Sequence, residues 1–452
     1  MAKYPLLWVG LLAIVLRVLI TMALWDNAPM GSDAHYYMVD AISYSQHFVP
    51  EKAPFWPPGN PLLLAAVFTL TGPSEAAARV LMIALSVLAV VLSMRFARHF
   101  SPDPGVAVRT GLLAALYGPS VLLTGQSYSQ HLATLCLLAV ADQGWEAIRR
   151  PRLAPFLWAG LALGVGILTR PSVASLTPVL VVYLLLAVRI AHREGNMPKV
   201  RRLFLGAGAA FIVSAALLTP VLLFNHAHDA GWVISTNNER NFFLGNNPYT
   251  PNYKTSHLAQ RLRGELDPQA REYLDRIYAE PNPRRAMLHE SLAYISSHPG
   301  TTFIRTLNRF LAFWGFDYLA SRHLQKLHGW GKWGLAAALL WEAGSYLSVM
   351  LLAAAGWWFA SRDGSPWIGG WLLWLIFFYL IPYAISFSGG TYHFPVMGLL
   401  FPFAGLALSG FLTPDGRRRL RRQVVGRKAF WVFVLVILAI QVQYAYYAVV
   451  YL

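Results

Sequence analysis

The run Gly31-Ser32-Asp33-Ala34-His35-Tyr36-Tyr37 follows directly on the first long apolar stretch of the sequence. A carboxylate at a membrane–water boundary is costly unless something uses it. Flanked by aromatic rings at the mouth of a pocket, it can take the proton of an attacking hydroxyl. Asp33 is therefore the first candidate for chemistry; a solvated loop aspartate, or the N-cap of a helix over residues 34–45, accounts for it without chemistry. Asp40 stands seven residues on, about two helical turns, and either shares that site or is solvated. Arg170 ends a short apolar stretch and precedes Pro171. Its planar fork suits a phosphate, although an arginine there can equally reach up to lipid headgroups. Tyr392 and His393 open a late apolar stretch, where a protonated histidine binds phosphate and a neutral one serves as an interfacial structural residue. Gln126 and Gln130 open another; they can bond sugar hydroxyls or simply mark a helix end, and neither can act as a base.

The elements that must position these residues are membrane helices. Of the 452 residues, 56% are hydrophobic and 13% charged, against about 25% charged in a soluble domain. Apolar runs near 20 residues recur along the whole length, enough to cross about 30 Å of hydrocarbon. The short alternating segments of a membrane β-barrel are absent. The expected fold is all-α and polytopic, with about eleven spans at 5–25, 75–97, 106–122, 128–148, 154–169, 172–190, 203–224, 336–360, 367–386, 393–412 and 429–451. Segment 59–72, after Pro57-Pro58, reads as a membrane-dipping or interfacial helix. Residues 1–25 resemble a signal peptide, but Trp25-Asp26 is a poor cleavage site, and we read a retained first span.

Net charge is +16. Nucleic acid is one reading of such an excess; the positive-inside rule is the better one. With the N-terminus cytoplasmic, the inside segments, Lys3 and Arg362 among them, carry 20 basic residues and the short outside segments carry 3. The unusual polar segments then share the extracytoplasmic face: the first loop 26–74, residues 126–130, Thr169 to Ser172, the long loop 225–335 and Gly389 to His393. That face has no ready supply of nucleotide-activated substrates, so a lipid-borne one is required. Three parts result: an N-terminal membrane module 1–224 containing the first loop, an extracytoplasmic region 225–335 and C-terminal membrane helices 336–452. Within 225–335, Asp267-Pro268 caps a helix, and the stretch from Phe303 to Phe316 is amphipathic and expected in the membrane interface, with Arg305 and Arg309 on one side. Cys136 is the sole cysteine, so no intramolecular disulfide forms. His226 with His228, and His323 with His328, lack a credible set of further metal ligands. No HExxH, CxxC, phosphate-binding loop or GxSxG occurs.

Taken in order, the motifs resemble the GT-C superfamily of integral-membrane glycosyltransferases. The similarity is greatest to the branch of protein O-mannosyltransferases and lipid A aminoarabinose transferases. The carrying residues are Asp33 and Tyr37; Phe55-Trp56-Pro57-Pro58-Gly59-Asn60-Pro61 running into leucines; Gly164 to Pro171 ending Leu-Thr-Arg-Pro; Leu244-Gly245-Asn246-Asn247-Pro248; and Thr391-Tyr392-His393-Phe394-Pro395. The family's acidic neighbour of the first aspartate is Ala34 here. Its second acidic position falls among Gln126, Ser129 and Gln130; its lysine before the proline pair is Trp56; the arginines of its late motif are Thr391 and His393.

The resemblance implies an enzyme that moves a sugar from a polyprenyl-phosphate carrier to a hydroxyl of a protein or glycan acceptor, with inversion. It implies Asp33 as general base, Arg170, His393 and Tyr392 at the lipid phosphate, and Tyr36, Tyr37, Gln126, Gln130 and Asn246 around sugar and acceptor. It implies no metal or other cofactor and a bacterial inner-membrane location. Membrane lipids are expected partners and nucleic acid is not. A lipid-linked sugar transporter, which would need midplane polar residues and inverted repeats, and a non-catalytic assembly protein of the same fold are the alternatives.

Overall fold

The computed structural model describes residues 5–26, 28–47, 50, 52–252, 264, 266–360 and 366–451. Lys3 and Arg362, counted above in the charge argument, lie outside the described residues. Among those residues the chain is helical and contains no strand. The first half comprises α1 (Pro5–Trp25), α2 (Ser32–His47), α3 (Gly59–Thr71), α4 (Glu75–Ala97), α5 (Pro104–Leu116), α6 (Gly118–Leu122), α7 (Gln130–Arg149), α8 (Leu153–Thr169), α9 (Thr177–Arg193) and α10 (Met197–Ala227). A polar region follows with α11 (Asn238–Gly245), α12 (Pro268–Tyr278), α13 (Pro283–Ser297), α14 (Pro299–Phe313) and α15 (Leu319–His328). The chain closes with α16 (Lys332–Ala360), α17 (Pro366–Ile385), α18 (Phe394–Leu412), α19 (Pro414–Leu420) and α20 (Lys428–Tyr451).

Among the described residues, eight helices are long and apolar enough to cross a membrane, and nine if the bent pair α5–α6 is one span. The protein is a multi-pass membrane protein. Two of the eleven expected spans fall outside that test for physical reasons. Helix α7 carries Asp142, Gln143 and Glu146 but faces protein on nearly every side, so it needs no lipid-compatible surface. Helix α8 has 17 residues. Helix α3, at 13 residues, is shorter than a span, as its sequence indicates.

Helices α7 and α18 form the bundle's centre, and α18, from the last third of the chain, packs among α4, α5 and α7 from the first. The break between α5 and α6 bends the chain by 51° at Tyr117 and frees carbonyls inside the bundle, where each unpaired group is costly. The buried Arg17 of α1 satisfies them: it donates to the Ala115 carbonyl at 3.0 Å and the Ala114 carbonyl at 3.4 Å, and to Ser86 Oγ at 2.6 Å. Asp267 caps α12 by accepting from Gln269 N–H. Gly59 lets α3 close on the end of α8, where a Cβ would stand 2.6 Å from Thr169 N. This contact brings the first loop to the residues around Arg170.

Candidate functional site

Asp33 sits in the first turn of α2, and the segment just before it is fastened from several sides. Gln126 Oε1 accepts from Gly31 N–H at 2.8 Å, and its amide nitrogen donates to the Pro29 carbonyl at 3.3 Å. Tyr128 OH donates to Gly31 O at 3.4 Å and Ser127 Oγ to Ala34 O at 3.0 Å. Arg79 donates to Ala28 O. Ser32, immediately before Asp33, has φ of 49°, a left-handed conformation that costs a non-glycine residue of order 1 kcal/mol. The fastenings hold this strained residue, and with it the direction in which Asp33 leaves the backbone. Nothing in the backbone donates to the Asp33 carboxylate among the described residues; its one bonding partner is Ser32 Oγ at 3.4 Å. Asp33 therefore does not cap α2.

Asp33 lines a cavity of about 1070 Å³ that runs along α2 from Ser32 to His47. Its other walls are residues 50 and 52–56 of the first loop, α11 with Arg240, Asn241 and Leu244, and Phe387 and Tyr392. The loop is tied to the α11 side by Thr236 N–H, which donates to Pro54 O at 3.0 Å. Burial raises the Asp33 pKa above the usual carboxylate value; Arg170, the Ser32 hydroxyl and Arg240 oppose that shift without cancelling it. Seven residues along, Asp40 is pushed up to about 6 by burial, against the pull of Lys52. Burial, reinforced by the Asp33 charge, pushes Tyr37 to about 12. Tyr37 thus remains a neutral hydrogen-bonding phenol, its ring edge-on to Trp56 at 5.9 Å.

Of the residues singled out by sequence, Asp33, Tyr36 and Tyr392 line the cavity, as does Asp40. Arg170 is one side chain removed from it. Its guanidinium lies 5.9 Å from the Tyr392 ring centroid and donates to Tyr383 OH at 3.4 Å, and its Nε, buried, has no hydrogen-bond partner among the described residues. His393, Asn246, Gln126 and Gln130, expected at phosphate or sugar, do not line the cavity. His393 is wholly buried, its Nδ1 donating to the Phe313 carbonyl at 2.8 Å and its ring stacked on Tyr346 at 4.3 Å; it is a core residue. Asn246 is buried, donates to the Phe242 and Ile385 carbonyls, both at 2.9 Å, and accepts from Arg309. Gln126 is the anchor of the first loop. Gln130 is buried in α7 and does not line the cavity.

Sequence reasoning missed Arg240 and Lys52, the cations that do line the cavity. Arg240 rests 5.8 Å from the Phe55 ring centroid and makes no ion pair among the described residues. Its neighbour Glu239 is taken by Arg284, Nη2 to Oε1 at 2.6 Å. The spacing of Arg240 and Leu244, one helical turn apart and both on the cavity wall, is the signal that could have found it. No group of three His, Cys, Asp or Glu side chains suited to a metal ion occurs among the described residues.

Residues 56–226 match the family described as dolichyl-phosphate-mannose-protein mannosyltransferase. Over 199 residues the chain is 29% identical to the undecaprenyl phosphate-alpha-4-amino-4-deoxy-L-arabinose arabinosyl transferase of Pseudomonas aeruginosa strain UCBPP-PA14. The same identity is found with the protein of that name from strain LESB58 and from Pseudomonas paraeruginosa strain DSM 24068 / PA7. These matches cover 41% of this chain and 32% of the relatives, so the chain spans about a third of their length. The resemblance to the GT-C superfamily read from the motifs stands on both comparisons.

Proposed function

We propose that this protein is a glycosyltransferase that moves a sugar from a polyprenyl-phosphate carrier to a hydroxyl of a protein, glycan or glycolipid. The reading is carried by one observation: an acid with a raised pKa and two cations, Arg240 and Lys52, share the walls of a single cavity. The matched family and relatives, by the names they bear, act on lipid-phosphate-linked sugars.

In this mechanism the sugar lies in the cavity against Tyr36 and Tyr392. Asp33, ionised, takes the acceptor proton as the hydroxyl oxygen attacks the anomeric carbon. The bond from that carbon to the phosphate oxygen breaks, its electron pair stays on the phosphate, and polyprenyl phosphate leaves. Attack from the face opposite the phosphate inverts the carbon. Charge building on the leaving oxygen is met by Arg240, with Lys52 further along the cavity and Arg170 adding its field from behind Tyr392. The guanidinium groups do the neutralising, so the scheme requires no metal. Orientation follows the charge bias: N-terminus cytoplasmic, cavity extracytoplasmic, in the inner membrane of a bacterium.

The test is transfer of radiolabelled sugar from a polyprenyl-phosphate donor by the purified, lipid-reconstituted protein and by Asp33→Asn. Turnover by the wild type and its loss in the variant is the expected result. Equal turnover by both removes Asp33 as the base, and no turnover by either with any acceptor class removes the enzyme.

A further inference from the structure

Helix α14 carries its polar and apolar faces the opposite way from a water-exposed helix. Between Thr301 and Phe313 every exposed residue is apolar: Phe303 at 70%, Ile304 and Leu307 at 48%. Its two arginines point inward instead, Arg305 at 4% and Arg309 at 1%. A helix on a water-facing surface buries its apolar stripe; one lying in a membrane interface turns it to the lipid.

The level of α14 is fixed by the membrane-crossing helices. Arg309 donates to the carbonyl of Ile385, the last residue of α17, at 3.1 Å. The Phe313 carbonyl accepts from His393 at the start of α18, and the Trp314 carbonyl accepts from Tyr346 OH of α16 at 2.7 Å and Gln441 of α20 at 2.8 Å. Four such helices therefore hold the C-terminal end of α14 where α17 ends and α18 begins. Its exposed apolar face is thus carried at the level where membrane-crossing helices end and begin, so acyl chains are the occupant that fits it.

The inward face grips the cavity wall. Arg309 donates to the Gly245 carbonyl and to Asn246 Oδ1 as well as to Ile385 O. Arg305 donates to the Asn247 carbonyl at 2.8 Å and to the Thr250 carbonyl. The two gripped segments touch at Gly245, where any Cβ would overlap the Ser386 carbonyl oxygen. One residue before the first segment is Leu244 and two residues beyond Ile385 is Phe387, both part of the cavity wall.

We infer that α14 is embedded by Phe303, Ile304 and Leu307 in the leaflet beside the Asp33 cavity, and that Arg305 and Arg309 make it the strut that positions the cavity wall. Arg309 is on this account a positioning residue. The inference concerns the cavity itself and stands whether or not the chain transfers sugar.

Site-directed spin labelling tests both halves. Cys136, the sole cysteine, is buried, so a Cys136→Ala background accepts single labels. Nitroxides at Phe303→Cys, Ile304→Cys and Leu307→Cys are compared with one at the exposed Glu272→Cys of α12, in vesicles of phosphatidylethanolamine and phosphatidylglycerol. At the three α14 positions, collisions with oxygen are expected to exceed those with a water-soluble nickel chelate, and the order should reverse at Glu272. High nickel collisions at all three place the face in water and overturn the embedding. An immobile label shielded from both reagents means a protein covers the face, which overturns it equally. For the strut, a label at Asn241→Cys should gain mobility in Arg309→Gln while one at Leu288→Cys does not. If Arg309→Gln fails to fold, Arg309→Lys, which keeps the charge and loses the fork, takes its place. Unchanged mobility at 241 overturns the positioning role.

Discussion

Replacing Asp33 by asparagine keeps the shape of the side chain and its contact with Ser32 and removes its charge and with it the capacity to accept a proton. A positioned general base contributes about 10²- to 10⁴-fold to rate, or about 3 to 5 kcal/mol of barrier, and kcat should fall by that factor. The local structure argues that stability will not fall with it. Burial raises the pKa of Asp33, so the folded state binds its proton more tightly than the unfolded chain does. Stability from this group is then fully present below the unfolded pKa and is lost as pH rises through the folded value. At neutral pH the ionised carboxylate is a cost, and the asparagine variant should melt at the same temperature or higher. The same shift sets the pH profile. The base must be ionised, so wild-type kcat/KM falls as pH drops through the Asp33 pKa, above the ordinary aspartate value of about 3.9. Arg170 and Arg240 both hold that pKa down, Arg170 the more strongly. Arg170→Gln should therefore move the acid limb to higher pH, and Arg240→Gln should move it less. The assay is initial-rate transfer across pH, paired with thermal denaturation by tryptophan fluorescence. An asparagine variant that loses activity together with its melting transition makes Asp33 a structural residue, and an acid limb indifferent to Arg170 refutes the electrostatic argument.

Arg240→Ala should raise the KM for the lipid donor by about 10- to 100-fold, since a charge-assisted hydrogen bond contributes about 1.5–3 kcal/mol; steady-state kinetics with varied donor reads this. Gln126→Ala removes the bonds that fasten Gly31 and Pro29 and should lower kcat with donor KM little changed, as the loop carrying Asp33 loosens without losing a ligand contact. Gly245→Ala forces apart the segments that meet at Ser386; a lowered yield of monodisperse detergent-extracted protein, or a melting temperature lowered by several degrees, is expected. His393→Gln should leave donor KM unchanged while lowering thermal stability, because the ring serves the core contact with Phe313 and Tyr346.

The membrane helices were legible because each must present a run of apolar residues to lipid, and the long ones start and end near the expected positions. Helix α7 was legible as a segment, yet its Asp142 is satisfied inside the protein by Arg95 at 3.1 Å and His99 at 2.9 Å, an arrangement that no local pattern discloses. In the first loop, Asp33 shares a cavity with Tyr36, Phe55 and Trp56. The Asn-rich motif was ambiguous: an amide that bonds a ligand and an amide that bonds a distant carbonyl look the same in sequence. For Asn246 the difference lies in Ile385, 139 positions away. Arg240 was hidden by its neighbour. Beside Glu239 it reads as half of a local ion pair, and only the fold assigns Glu239 to Arg284 and leaves Arg240 facing the cavity.

The buried guanidinium groups share one habit that bears on the substrate. Arg17, Arg305 and Arg309 are bonded to carbonyl, hydroxyl and amide oxygens, with no carboxylate among the described residues. Arg170 leans on tyrosines. The cavity itself holds Asp33 and Asp40 against Arg240 and Lys52, so with Arg170 behind Tyr392 it carries one positive charge more than negative when both acids are ionised. In the proposed mechanism a lipid phosphodiester brings one negative charge and balances it. In that same proposed step Asp33 loses its charge to the proton as the leaving phosphate gains one. The total is unchanged, but negative charge migrates from the acid to the phosphate. Arginines that stabilise the ionised Asp33 at rest give up that interaction and regain it on the phosphate. The step is favoured electrostatically to the extent that the phosphate approaches Arg240 and Arg170 more closely than Asp33 does. Tyr392, the ring between Arg170 and the cavity, is the side chain whose movement would set that approach.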